Sequence, residues 1–181
     1  MSHNLAKVFS AELEGIEAKL IDVEVDLNTG LHSFNIVGLA DKALSEAKER
    51  VSSAIKNTGL KPPNKENRKI TVNLAPADIK KTGSQYDLAI AIGYLSATKQ
   101  IKAFEAENKI FLGELSLNGD LRPVSGALNY AILGKTIGAK YLFVPNKNAK
   151  EASLIDGINI IPVKNLGDLI SHLNEIKYID A

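Results

Sequence analysis

Cysteine is absent, which excludes disulfides, zinc–thiolate centres, iron–sulfur clusters and a cysteine nucleophile together. The cytoplasm is therefore the expected compartment. An excess of one charge is also missing: 22 Lys and Arg stand against 21 Asp and Glu, a net charge of +1. Any attraction to a polyanion must come from a local patch, not from the field of the whole molecule. Long apolar runs are lacking too, each being broken by charge or glycine well short of the roughly 18 residues that a membrane helix needs. Met1-Ser2-His3-Asn4 has no basic region leading into an apolar one, so neither a targeting segment nor a membrane partner is expected. No internal repeat, low-complexity tract or long linker divides the chain.

What is present is a globular composition, 45% hydrophobic and 24% charged over 181 residues, which predicts one compact domain with a substantial core. Ile21, Val23, Val25 and Leu27 alternate with Asp22, Glu24 and Asp26 at period two, a half-buried strand within a strand-like stretch that begins near Val8. Asn28-Thr29-Gly30 reads as a tight turn that folds 33–37 back as the second strand of a hairpin. Ala43, Ala47, Val51 and Ile55 then recur at fourfold spacing, predicting a helix over 41–57 that stops at Gly59. The polar, proline-bearing stretch 61–69 reads as a surface loop and 70–75 as a strand.

Ser84 to Asp87 has capping-box spacing ahead of the apolar run 88–95, predicting a helix that reaches Thr98. Asn118-Gly119, flanked by strand-like 109–117 and 121–124, signals a hairpin. Helices follow over 127–137, 149–155 and 166–176, with strands over 141–144 and 158–161. This succession specifies an α/β chain of α+β type, a mixed sheet with packed helices, and not a simple doubly wound fold.

Gly134-Lys135-Thr136 resembles the end of a phosphate-binding loop, but Asn129 stands where such a loop requires glycine, and the triplet falls inside a predicted helix. No nucleotide or other cofactor is expected in this chain. His3, His32 and His172 share no metal-binding spacing, so no metal is expected either. Asp22, Glu24 and Asp26 share a strand face, where they can gather a hard cation or lie solvated on an outer surface. Ser84 enters a helix N-terminus, where amide dipoles can stabilise an oxyanion, although its spacing to Asp87 favours a helix cap. Between Lys56 and Lys81 seven Lys and Arg meet only Glu66 and Asp78, an excess of five positive charges. Lys61, Lys65, Arg68 and Lys69 are its candidate nucleic-acid contacts, with a plain solvated loop as the alternative.

The segments Leu5-Ala6-Lys7-Val8-Phe9-Ser10, Val23-Glu24-Val25-Asp26-Leu27, Phe34-Asn35-Ile36-Val37-Gly38-Leu39, and Ile70 through Asp78 resemble the N-terminal domain of the ComM/YifB family, magnesium-chelatase-like AAA+ ATPases. The likeness continues through Lys81-Thr82-Gly83-Ser84-Gln85-Tyr86-Asp87-Leu88 and Leu112 through Val124, covering nearly the whole chain. It implies a fold shared with the proteolytic domain of Lon, and a parent protein that assembles as a hexameric ring and migrates DNA branches in natural transformation. ATP and Mg would be bound by an AAA+ domain absent from this chain. Laying 81–87 over Lon's serine motif places Gln85 at the nucleophile, and laying Arg122-Pro123-Val124-Ser125-Gly126 over its second motif places Tyr130 at the dyad lysine. The resemblance thus implies a module over 1–181 with no catalytic residues and degenerate dyad positions Gln85 and Tyr130. The alternatives are an atypical serine hydrolase centred on Ser84 and a pure protein-interaction module.

Overall fold

The computed structural model describes residues 4–65 and 67–181, so His3 and Glu66 of the readings above lie outside the described residues. Strands β1 (Asn4–Glu14) and β2 (Glu17–Thr29) form one long antiparallel hairpin closed at Gly15-Ile16, with Glu14 opposite Glu17. The continuous strand-like composition from Val8 onward hides this turn. Ile21, Val23, Val25 and Leu27 point into the core, and Asp22, Glu24 and Asp26 stay half-buried on the opposite face.

Asn28-Thr29-Gly30 does not close the expected hairpin. β3 (Ser33–Val37) instead lies parallel to β4 (Arg68–Ala75), while β2 flanks β4 antiparallel on its other side, giving the order β1-β2-β4-β3. Ile70, Val72 and Leu74 make β4 a central strand whose backbone needs partners on both sides. A parallel partner requires a crossover, which α1 (Lys42–Ser45) and α2 (Ala47–Asn57) supply. The expected helix over 41–57 breaks at Glu46, where Ser45 Oγ donates to the Lys42 carbonyl and offers the chain a local alternative to helix continuation. The stretch expected as loop over 61–69 is shorter in fact. Pro63–Lys65 forms a 3₁₀ turn, and Arg68 and Lys69 already belong to β4.

Helix α3 (Asp87–Ala97) lies across β1 and β2 and beneath α2. It is apolar all round, as a helix enclosed on every side must be. Leu88, Ile90, Ile92 and Leu95 are fully buried, each contributing about 1.5–3 kcal/mol. A second sheet, order β5-β8-β9 and all parallel, joins β5 (Lys109–Phe111), β8 (Tyr141–Pro145) and β9 (Asn159–Val163). Its crossovers carry α4 (Ala127–Ile137) and α5 (Ala149–Ala152), and α6 (Leu166–Leu173) follows β9. Phe111 stacks on Phe143 with centroids 4.7 Å apart. The hairpin signalled by Asn118-Gly119 is present as the ribbon β6 (Glu114–Leu115) and β7 (Leu121–Arg122). A large apolar cluster joins the first sheet, α2, α3 and the near side of the second sheet, while a smaller one, with Ala11, Ile110, Tyr130 and Leu142, underlies α4.

Candidate functional site

The end of β1, the loop before α3, the start of β6 and the start of α4 converge on a cleft of about 390 Å³ lined by residues that include Glu12, Ser84, Gln85, Glu114, Ser125 and Tyr130. Its organising group is Glu12. Val8, Ser10 and Glu12 occupy alternate positions of β1 and are all buried, so the strand period drives this carboxylate into the interior. There it accepts four hydrogen bonds, from the Thr82 amide (2.9 Å) and hydroxyl (2.8 Å), Gln85 Nε2 (3.2 Å) and the Tyr86 hydroxyl (2.5 Å). A buried carboxylate needs such a set to offset its desolvation. Asp41 holds the same loop from the other side, its Oδ1 capping α1 through the Leu44 amide and its Oδ2 accepting from the Gly83 amide.

Gln85 and Tyr130, separated by 45 positions, line one cleft. Neither can act as a nucleophile or a base at neutral pH. The Gln85 amide is committed to Glu12, and burial, reinforced by the Glu12 charge, pushes the Tyr130 phenol well above its ordinary value. Burial and the bond to Glu12 do the same to Tyr86. Ser84 also lines the cleft, but the cap expected from its spacing to Asp87 is not formed. No side chain caps α3, and the Ser84 hydroxyl donates to the Glu114 carboxylate through a short bond. A carboxylate is a far weaker base than an imidazole or a neutral amine. The lysine nearest in sequence, Lys81, is fully buried and donates to the Pro76 carbonyl, and burial lowers its pKa.

Asp87 has a different partner. Its buried carboxylate takes a fork from Arg50, Nε at 2.6 Å and Nη2 at 3.0 Å, and a third bond from the Leu115 amide. This pair ties α2 and α3 to β6, next to the cleft residue Glu114. Burial pushes the Asp87 carboxyl up to about 6, although Arg50 and the Leu115 amide oppose the shift. Arg50, closer to solvent, is pushed further up by the same contact, so the arginine carries its charge easily and the carboxylate bears the desolvation.

The family model described as subunit ChlI of Mg-chelatase matches residues 23–148, which run from within β2 to just past β8 and include every wall of this cleft except the end of β1. The chain belongs to the Mg-chelatase subunit ChlI family. Among relatives of this ChlI-family chain, competence protein ComM of Haemophilus influenzae is 42% identical over 94% of the chain and 33% of its own length. YifB of Escherichia coli is 42% identical over 85% of the chain and 30% of its own length. Lon protease 2 of Bacillus subtilis is 29% identical over 85% of the chain, a likeness consistent with a Lon-like fold on this mixed α/β architecture. The ChlI-family chain spans about a third of the length of these curated relatives.

The second candidate region lies at the far end of α3. The Lys61 carbonyl accepts from Tyr94 and Gln100, which anchors the basic segment to the helix end opposite the cleft, about 16 Å away along an eleven-residue helix. Lys61, Lys65 and Lys69 are exposed and Arg68 is half-buried at the start of β4. Lys81, counted in the charge excess, is buried and cannot serve this surface. The Gly-Lys-Thr triplet sits within α4, and a side chain at Gly134 would meet Ile158 at 2.4 Å, so this glycine serves close packing between α4 and the segment before β9. On the outer face of β2, Asp22 pairs with Lys7 at 2.9 Å, Glu24 accepts from Asn73 and Asp26 from Asn28. Three different partners spread these carboxylates rather than gathering them. Among the described residues no three His, Asp or Glu side chains form a group that could hold a metal ion, and no helix is long and apolar enough to cross a membrane.

Sequence reasoning missed two residues that build the site. Glu12 carried a usable signal, a carboxylate at an inward alternate position beside Val8 and Ser10. Arg50 carried none, because its partner is 37 positions away and its neighbours on α2 read as an ordinary polar face.

Proposed function

We propose that this chain is the non-catalytic N-terminal module of a ComM-like AAA+ protein that remodels DNA during natural transformation. The module contacts the nucleic-acid backbone through Lys61, Lys65, Arg68 and Lys69, and it helps the parent assemble as a cytoplasmic hexameric ring. ATP and Mg belong to the parent's ATPase domain and not to this chain. The non-catalytic reading is supported by the cleft, where Gln85 is engaged by Glu12 and burial raises the Tyr130 phenol, the two residues that the resemblance aligns with a peptidase dyad. The likeness to competence protein ComM supplies the DNA context.

A single copy offers few phosphate contacts, so its affinity belongs in the nonspecific range of about 10⁻⁴ to 10⁻⁶ M, and a ring multiplies such contacts through effective concentration. The test replaces Lys61, Lys65, Arg68 and Lys69 with Ala in the full-length parent and measures branched-DNA binding across a salt series. A drop in affinity with a flatter salt dependence supports the reading. Unchanged affinity and unchanged salt dependence refute it and leave a protein-interaction module.

A further inference from the structure

The parallel sheet β5-β8-β9 has one face that the fold covers only in part. By strand period and register, Lys109, Tyr141 and Asn159 form one row of that face and Phe111, Phe143 and Ile161 the next. The second row is buried, whereas Lys109 and Tyr141 are half-buried and Asn159 is exposed. A parallel sheet is ordinarily covered on both faces. Here the first row instead floors a cavity of about 640 Å³, which lies between the loop 103–105 and the end of α6 with the tail that follows it. That volume is in the range of small-molecule sites.

The walls of the cavity are tied together. The Lys102 amide donates to Asn174 Oδ1 at 2.8 Å and the Lys102 ammonium pairs with Glu175, which joins the loop to the end of α6. The Ile179 amide donates to His172 Nδ1 and so holds the tail. Four of the chain's ten Phe and Tyr residues, Phe104, Tyr141, Phe143 and Tyr178, line this one space. Tyr178 is 62% exposed although its ring meets His172 edge-on at 5.5 Å, so a face of it is left for a flat ligand to cover.

The polar groups narrow the class of that ligand. Because His172 Nδ1 accepts, the neutral imidazole carries its proton on Nε2, which donates to no described residue. The Lys109 ammonium gives two of its three protons to the Glu105 carbonyl and Asn108 Oδ1 and keeps the third. Asn159 Nδ2 donates to the Lys140 carbonyl at 3.1 Å, which leaves Oδ1 as an acceptor. A cationic ligand is repelled, because Lys109 Nζ already lies 5.8 Å from the Phe104 ring centroid and 5.3 Å from that of Tyr141. An anionic one meets Glu105, Glu175 and Asp180 in the lining. An uncharged ring that both accepts and donates satisfies every group.

We propose that this cavity binds an uncharged, amino-bearing nucleobase, as in a nucleoside, packed among Phe104, Tyr141 and Tyr178. Its ring nitrogens accept from Lys109 and His172, and its exocyclic amino group donates to Asn159. Phosphorylated forms are disfavoured by the three carboxylates. None of Lys61, Lys65, Arg68 and Lys69 lines the cavity, so the site is separate from the basic segment.

The test is an amide-resolved NMR titration of the 181-residue chain with adenosine, adenosine monophosphate, a short single-stranded oligodeoxyadenylate, and indole, a flat uncharged ring with no acceptor nitrogen. Saturable shifts clustered at Phe104, Lys109, Tyr141, Asn159 and Tyr178 are expected with adenosine, with weaker binding of the other three. Lys109→Met and His172→Phe, each checked for its fold by its own spectrum, should each bind adenosine about tenfold more weakly through loss of one hydrogen bond. Replacing Lys61, Lys65, Arg68 and Lys69 with Ala should leave adenosine binding unchanged. No saturable shift at millimolar adenosine, indole binding as well as adenosine, unchanged binding by both single variants, or tighter binding of the monophosphate or the oligonucleotide overturns the proposal.

Discussion

Replacing Arg50 with Met removes a guanidinium while keeping an unbranched stem of similar reach, and so isolates what the ion pair does for Asp87. The carboxylate loses bonds of 2.6 and 3.0 Å and keeps only the Leu115 amide. Stripping one partner from a buried pair costs about 3–5 kcal/mol, a large part of a typical domain's stability. The sign of the pH dependence follows from the direction of the shift. In the native protein burial raises the Asp87 carboxyl from 3.8 to about 6, so the folded state holds that proton more tightly than the unfolded chain. Its contribution is then fully present below pH 3.8 and is lost as the pH rises through 6. At about 1.4 kcal/mol per pH unit the loss amounts to about 3 kcal/mol by neutral pH. Without Arg50 the main opposing influence is gone, the carboxyl rises further, and the window of loss extends upward. Urea unfolding of Arg50→Met should therefore show a deficit of about 3–5 kcal/mol at pH 7.5 and a clearly smaller one at pH 5. Adding Asp87→Asn should recover at least half of the deficit and flatten its pH dependence, since the amide oxygen still accepts from Leu115. A deficit under 1 kcal/mol, or one equal at both pH values, would refute the reasoning.

Gly126→Ala should lower stability by about 1–3 kcal/mol, because alanine is strained at φ +85° and its Cβ collides with Leu13; thermal melting should fall by several degrees while far-UV circular dichroism stays native. His172 accepts from the Ile179 amide at 2.9 Å through Nδ1 and lies edge-on between Phe143 and Tyr178, and burial with the nearby Lys109 charge lowers its pKa. A lowered pKa means that this contact stabilises fully above about pH 6.5 and is lost as the pH falls through the depressed value. Hydrogen exchange at Ile179, corrected for intrinsic rates, should lose protection at pH 5 relative to pH 7.5, and the change should vanish in His172→Phe.

The parts of the fold that were legible are those where a local rule and the tertiary structure agree. The period-two face of Ile21 to Leu27, the Asn118-Gly119 hairpin and the helix Ala127–Ile137 all follow from pattern and turn chemistry alone. The failures share one cause. Asn28-Thr29-Gly30 has the composition of a hairpin turn, but the hydrophobic demand of β4 for partners on both sides outweighs it and sends β3 to the far edge. Ser84 and Asp87 have the spacing of a capping box, but each side chain meets a stronger, charged partner from a distant element, Glu114 and Arg50. Local propensities worth about 1 kcal/mol yield to buried charge-assisted bonds worth about 1.5–3.

The same comparison explains why the cleft was half visible. Gln85 and Tyr130 were singled out by alignment to a motif, yet the motif says nothing of what holds the cleft in shape. The structure supplies the reason in Glu12. One buried carboxylate fixes the loop 82–86 through four donors, two of them the side chains of Gln85 and Tyr86. A serine at position 85 could not reach Glu12 as the longer glutamine does, so Gln85 serves as a strut of the loop. The shape of the cleft therefore rests on this carboxylate and its donors, whatever chemistry the cleft does or does not carry out.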